Sequence, residues 1–106
     1  MFSRILTLRL KPNSVPELTK VIEEQIVPLL KAQDGFRDQM FFVRLDGTEA
    51  TGISLWNRKD SADAYARSAY AQVLDALNNF IDGVPRAKSY EVISSTVKTL
   101  VPIVTF

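Results

Sequence analysis

The hydrophobic positions of the chain fall into blocks of two different periods, and the order of the blocks predicts a fold. In the first ten residues Leu6, Leu8 and Leu10 alternate with Ile5, Thr7 and Arg9, the period of two expected of a strand. Lys11-Pro12-Asn13 ends it. Ser14-Val15-Pro16-Glu17 then has the S-x-x-E form of a capping box, with proline in the first turn. Val15, Leu18, Val21, Ile22, Ile26, Leu29 and Leu30 recur at three- and four-residue spacing, which predicts an amphipathic helix running to about Gln33. Pro28 interrupts that stripe, removes a backbone donor and is expected to kink the last turns. Gly35 supplies the left-handed conformation that ends them.

Residues 36–45 and 50–56 read as two further strands joined through Asp46-Gly47 in a tight hairpin turn. Phe36, Met40 and Phe42 fall on one alternation set and Phe41, Val43 and Leu45 on the other. Asp60 or Ser61 is placed to cap a second helical region, whose apolar positions run from Ala62 through Tyr65, Ala69, Val73 and Leu77 to Ile81, with Ser68 marking a break into two pieces. Gly83 and Pro85 stop it, and residues 87–97 return to an extended pattern. The order is β-α-β-β-α-β, an α+β domain with an antiparallel four-stranded sheet and its helices on one face. Both faces of the second strand are apolar, so the face away from the helices is expected to be covered by a second copy, giving a homodimer through the open sheet face. The apolar tail 98–106 is expected to dock on the domain 1–97 or on its dimer partner.

Composition removes several classes of function. A chain of 106 residues is the size of one domain and buries roughly 65% of its unfolded surface. Thirteen basic and twelve acidic residues leave a net charge of +1, which gives no electrostatic reason to expect nucleic acid or an anionic membrane as partner. The four glycines are dispersed, without a phosphate-binding loop. No apolar run approaches a membrane span, and the first ten residues lack a signal-peptide cleavage pattern. With no cysteine there is neither disulfide nor thiolate metal site, and a cytoplasmic location is the expectation. Without histidine the usual Ser-His-Asp and Cys-His nucleophilic systems and zinc sites are excluded. No metal and no cofactor is called for.

Val27-Pro28-Leu29-Leu30 leading to Asp34-Gly35-Phe36, then Ile53-Ser54-Leu55-Trp56-Asn57-Arg58-Lys59-Asp60-Ser61-Ala62, then Ser89-Tyr90-Glu91-Val92, resemble the antibiotic-biosynthesis-monooxygenase-like branch of the dimeric α/β-barrel superfamily. The resemblance implies a ferredoxin-like protomer that pairs into a dimeric α/β barrel. It also implies a cofactor-independent monooxygenase acting on a flat aromatic or quinol-type small molecule. The haem-degrading members of the family rely on a strand-one asparagine and on a helical tryptophan and histidine. With Trp56 as anchor, the helical positions hold Tyr65 and Asp75, and the first strand has no asparagine. Histidine ligation of iron is therefore excluded. The residues themselves also leave open a non-catalytic dimeric module that binds a small ligand, and a purely structural dimer.

The candidate ligand-binding residues are Trp56, Tyr65, Asn57 and Arg44. Trp56 reads first as a core anchor and second as the wall of a pocket that stacks on an aromatic ligand. Tyr65, near the start of the second helix, could orient a hydroxylated ring, while Tyr70 and Tyr90 read as structural. Asn57 could hydrogen-bond a carbonyl and also suits the turn into the second helix. Arg44, with Arg9, Arg37 and Arg58, lies on or beside a strand and could stabilise an oxyanion, or simply face solvent.

Overall fold

The computed structural model describes residues 1–97. β1 (Phe2–Leu10) lies in the middle of a four-stranded sheet of order β2-β3-β1-β4, formed with β2 (Phe36–Val43), β3 (Glu49–Trp56) and β4 (Ile81–Glu91). Every neighbouring pair is antiparallel. With helices in both crossovers, this is the expected ferredoxin-like β-α-β-β-α-β arrangement. The expectation that the tail 98–106 docks on the domain lies outside the described residues.

The first crossover is one helical rod in three parts: α1 (Val15–Val21), a π-helical turn (Ile22–Ile26) and α2 (Val27–Lys31). Pro28 explains the middle part. It brings no N–H, and its ring would strike the carbonyl four residues earlier in an α-ladder. Widening the preceding turn opens that spacing, and the Val27 N–H bonds to the Ile22 carbonyl five residues back. The sequence predicts a kink; the chain makes a π turn. On a 3.6-residue helix, positions four apart drift by about 40° per step, and the wider turn takes some of that drift back. Leu18, Ile22, Ile26 and Leu30 are accordingly all buried on one line. Ser14 is the N-cap residue but makes no capping bond; its hydroxyl donates to the Lys11 carbonyl, so the capping box does not form.

The second crossover begins at Lys59, with Arg58 as N-cap, two or three residues before the expected cap. Asp60 lies in the first turn, where the helix dipole favours it. α3 (Lys59–Ala66) and α4 (Tyr70–Leu77) are separate helices. The break falls at the expected Ser68, whose hydroxyl donates to the Ala64 carbonyl at 2.7 Å, a back-bond that competes with the helical ladder. Ala62, Tyr65, Ala69, Val73 and Leu77 are buried against the sheet. A short 3-10 turn (Asn78–Phe80) follows α4, and Ile81 already belongs to β4. β4 thus starts before Gly83 rather than after Pro85, because a bulge absorbs them. From Thr7 to Arg9 on β1 the partners step from Arg86 to Asp82 on β4, and Gly83 supplies a positive φ of 77° there.

Two details of the β2–β3 hairpin differ from the pattern-based reading. The link is a loop closed by Arg44 N–H to Glu49 O and Gly47 N–H to Arg44 O, with Asp46 accepting from Thr48, so Leu45 is exposed in a loop and not on a strand face. More consequential is a bulge at Arg37: Phe36 pairs with Trp56, but Asp38 pairs with Leu55. One inserted residue exchanges the faces of everything beyond it. Phe36 therefore shares the helix-covered face with Phe41, while Met40 and Phe42 turn to the open face.

Candidate functional site

The helix-covered face of the sheet carries Arg4, Leu6, Leu8 and Leu10 from β1, Gly52, Ser54 and Trp56 from β3, and Gln39 and Phe41 from β2. Trp56 is 0% exposed. Its indole stacks on Tyr65 at 4.9 Å between ring centroids and meets Phe36 edge-on at 5.5 Å. Tyr65 in turn lies 5.8 Å from Tyr70. The Trp56 N–H donates to the Ser54 hydroxyl at 2.9 Å, which satisfies the one polar group of a buried indole and leaves the Ser54 proton free to be donated elsewhere.

In front of this aromatic row, between sheet and helices, is a cavity of about 40 Å³, whose lining includes Arg4, Gln39, Phe41, Ser54, Tyr65 and Tyr70, with Ile26, Leu30 and Val73 from the helices. That volume holds about three waters, against roughly 300–1,000 Å³ for the pocket of a drug-sized ligand. The space is small because Phe41 fills it. A Cβ built on Gly52 would come within 2.8 Å of the Phe41 ring, so the ring lies against β3 in room that only a glycine leaves.

Among the described residues, Arg4 is the only charged side chain lining the cavity. Its guanidinium carbon sits 4.7 Å from the Tyr70 ring centroid and 5.7 Å from that of Tyr65. Burial pushes the Tyr65 phenol up to about 12, with Arg4 partly offsetting the rise, and raises the Tyr70 phenol for the same reason. Both are neutral donors at physiological pH. Among the described residues, the lining contains no carboxylate and no imidazole. It offers hydrogen-bond donors from Arg4, Ser54, Gln39 and the two phenols, without a group that would act as a base near pH 7.

Of the residues singled out from the sequence, Tyr65 lines the cavity and Trp56 stands behind it. Asn57 lies at the end of β3, where its side-chain oxygen accepts from Arg37 at 2.7 Å. Arg44 lies in the hairpin, 3.4 Å from Asp46. The structure does not bring Asn57 or Arg44 to the cavity. Tyr70, read from the sequence as structural, does line it. The missed residue is Arg4. Carrying the β1 alternation two residues back from Leu6 would have placed it on the apolar, helix-covered face. A second depression, lined by Arg9, Glu49, Asp82 and Arg86 near the β4 bulge, already holds charges of both signs.

This arrangement is a ferredoxin-like sheet with a small pocket between its inner face and its helices. No family model matches the chain, and none of the curated proteins does. Solved structures do match. A monooxygenase of Streptomyces coelicolor, in complex with the ligand nanaomycin D, superposes with a TM-score of 0.74 at 17% identity, covering 92% of this chain and 91% of that one. SnoaB, a cofactor-independent oxygenase of Streptomyces nogalater, gives 0.72 at 13% identity over 92% and 97% of the two chains. A Nitrosomonas europaea protein described only as a candidate antibiotic biosynthesis monooxygenase gives 0.72 at 12% identity over 89% and 100%. The chain has the fold of the antibiotic-biosynthesis-monooxygenase-like proteins.

Proposed function

We propose that the chain encloses a flat aromatic small molecule between sheet and helices and exposes it to dioxygen without a cofactor. The observation that carries this reading is the cavity itself: an apolar chamber walled on one side by Tyr65 and Tyr70, with a few donors converging on it. Admission of a ring requires Phe41 to swing off Gly52. For an anthrone-type substrate the redox balance closes on substrate and oxygen alone. The activated CH2 loses a proton, its carbanion reduces dioxygen, one oxygen becomes the new carbonyl and the other leaves as water. The chain contributes orientation, exclusion of bulk water and donors for the substrate oxyanion.

The lack of a base among the lining residues favours a second reading, a module that binds the same kind of molecule without turning it over. Titration with anthrone, followed by Trp56 emission under argon and then by an oxygen electrode in air, separates the two. Saturable quenching with one dioxygen consumed per anthraquinone formed supports oxygenation. Saturable quenching without oxygen uptake supports binding alone. Absence of both, over a panel of bicyclic and tricyclic aromatics, sinks the ligand reading.

The working unit in this proposal is a homodimer. Met40, Phe42 and Tyr90 on the open face are 44%, 50% and 48% exposed and flank Ile5 and Ile53, a patch of the kind that marks association. Asp38 lies at the β2 side of this face and Arg86 and Lys88 at the β4 side. A two-fold axis along the strands would set β4 of one copy over β2 of the other and pair those charges. Sedimentation should give a dimer that Phe42→Asp converts to monomer, whereas a wild-type monomer at micromolar concentration would contradict the assignment. The cysteine-free composition suits a reducing cytoplasm, and among the described residues no helix is long and apolar enough to cross a membrane.

A further inference from the structure

The least economical residue of the cavity is Arg4. A half-buried cation on an apolar sheet face is costly unless something compensates it, yet no carboxylate among the described residues comes within ion-pair distance: the ion pairs there are Arg44 with Asp46 and Lys59 with Asp63. Asp63 is held below the usual carboxylate range chiefly by its hydrogen bond from Lys59, and Arg4 contributes least to that shift. What holds the guanidinium in place is aromatic. The guanidinium carbon lies over the Tyr70 ring, and a hydrogen bond from Arg4 also acts on the Tyr70 phenol, contacts that use only part of a guanidinium's five N–H donors. The neighbouring polar groups share this bias. Ser54 has a proton to donate once its oxygen has accepted the Trp56 N–H, and the phenols of Tyr65 and Tyr70 stay protonated.

We propose that the cavity is specific for an anionic aromatic ligand, whose carboxylate or phenolate oxygen is received by the in-plane donors of Arg4 while its ring occupies the space that Phe41 vacates. The proposal rests on the small-molecule reading above and adds the charge of the ligand to it. The ligand supplies the counter-charge that the described residues withhold. A guanidinium in a partly dry chamber binds an anion more tightly than one in water, because charge-assisted hydrogen bonds there are shorter and less screened. It also favours the ionised form of a bound phenol, which would supply the deprotonated substrate that the described lining residues have no base to generate.

The test compares two probes of one shape and different charge, naphthalene-2-carboxylate and naphthalene-2-carboxamide, titrated into the full chain at pH 7.5 and followed by Trp56 emission and by calorimetry. A charge-assisted hydrogen bond is worth roughly 1.5–3 kcal/mol, so the carboxylate is expected to bind at least about tenfold more tightly. That ratio should largely survive high salt, which screens exposed cations such as Arg86 and Lys88 far more than a sheltered one. Arg4→Gln, checked for fold by circular dichroism, should abolish the preference by weakening carboxylate binding about tenfold more than carboxamide binding, while Arg4→Lys keeps part of it. Equal binding of both probes to the wild type overturns the proposal and leaves the aromatic reading standing. So does a preference that vanishes in salt, or one that survives Arg4→Gln. Failure of either probe to bind, with failure of the wider aromatic panel, overturns both together. If Arg4→Gln does not fold, the wild-type ratio and its salt dependence still decide.

Discussion

Gly52→Ala is the smallest change that should reshape the cavity, and its cost can be worked from the contact it creates. The added Cβ would lie 2.8 Å from one carbon of the Phe41 ring and 3.1 Å from the next, so the ring must move. Two effects oppose each other. Replacing a strand-interior glycine restores roughly 0.5–1 kcal/mol of backbone entropy, while forcing a packed ring aside costs roughly 1–3 kcal/mol. Overpacking wins, and the net loss should be about 1–2 kcal/mol. For a domain of this size that lowers Tm by roughly 5–15 °C, readable by circular dichroism and by urea titration of Trp56 emission. The cause can be isolated with Phe41→Leu, which shortens the reach of the side chain over position 52. In the double variant the alanine should cost almost nothing, a coupling within the range of roughly 0.5–3 kcal/mol seen for residues in contact. If Gly52→Ala is neutral or stabilising, or if its cost is unchanged by Phe41→Leu, the ring does not fill the cavity in the way described.

Two other perturbations probe the aromatic row. Ser54→Ala removes the acceptor of a fully buried indole N–H and should cost roughly 1–3 kcal/mol, with a shift in Trp56 emission that Ser54→Thr restores; an unchanged spectrum and midpoint would mean that the bond contributes nothing. Tyr65 gives a prediction in alkali. Its folded phenol sits at about 12 against an ordinary 10.0, so the folded chain holds the proton more tightly than the unfolded chain. That contribution is complete below about pH 10 and is lost as pH rises through about 12. Tyr65→Phe should flatten this part of the stability-pH curve by on the order of 2–3 kcal/mol, and an identical fall in both proteins would show that Tyr65 titrates as it does in water.

The strands and helices were legible because burial is periodic: the alternation of β1 and the run from Ala62 to Leu77 both matched their elements. The hairpin faces were misread for a physical reason. A bulge costs one residue and leaves no mark in the hydrophobic pattern when residues on both sides of it are apolar, as Phe36, Met40, Phe41 and Phe42 are. Pro28 announced an irregularity, but whether it gave a kink or a π turn depended on keeping Ile22, Ile26 and Leu30 in line against the sheet. The bulge at Gly83 likewise let β4 begin where the sequence places a stop.

The site was only partly legible. Tyr65 carried a local cue, its place near the start of the second helix. Arg4 carried one too, its register with Leu6, Leu8 and Leu10, yet an arginine within an apolar strand reads as an exposed residue until the faces of the sheet are known. The occupation of the cavity by Phe41 had no cue at all, since it depends on the pairing of Phe41 with Gly52 across the hairpin. Resemblance to the monooxygenase-like family pointed correctly to the fold, and the cavity supplied the residues on which a functional argument could stand.

The most direct test of the account is a crystal structure of the chain with naphthalene-2-carboxylate at saturating concentration. The ring is expected between sheet and helices beside Tyr65 and Tyr70, with Phe41 turned away from Gly52 and the carboxylate within hydrogen-bond distance of Arg4. A ligand bound elsewhere, with Phe41 still packed on Gly52 and the cavity closed, would contradict it.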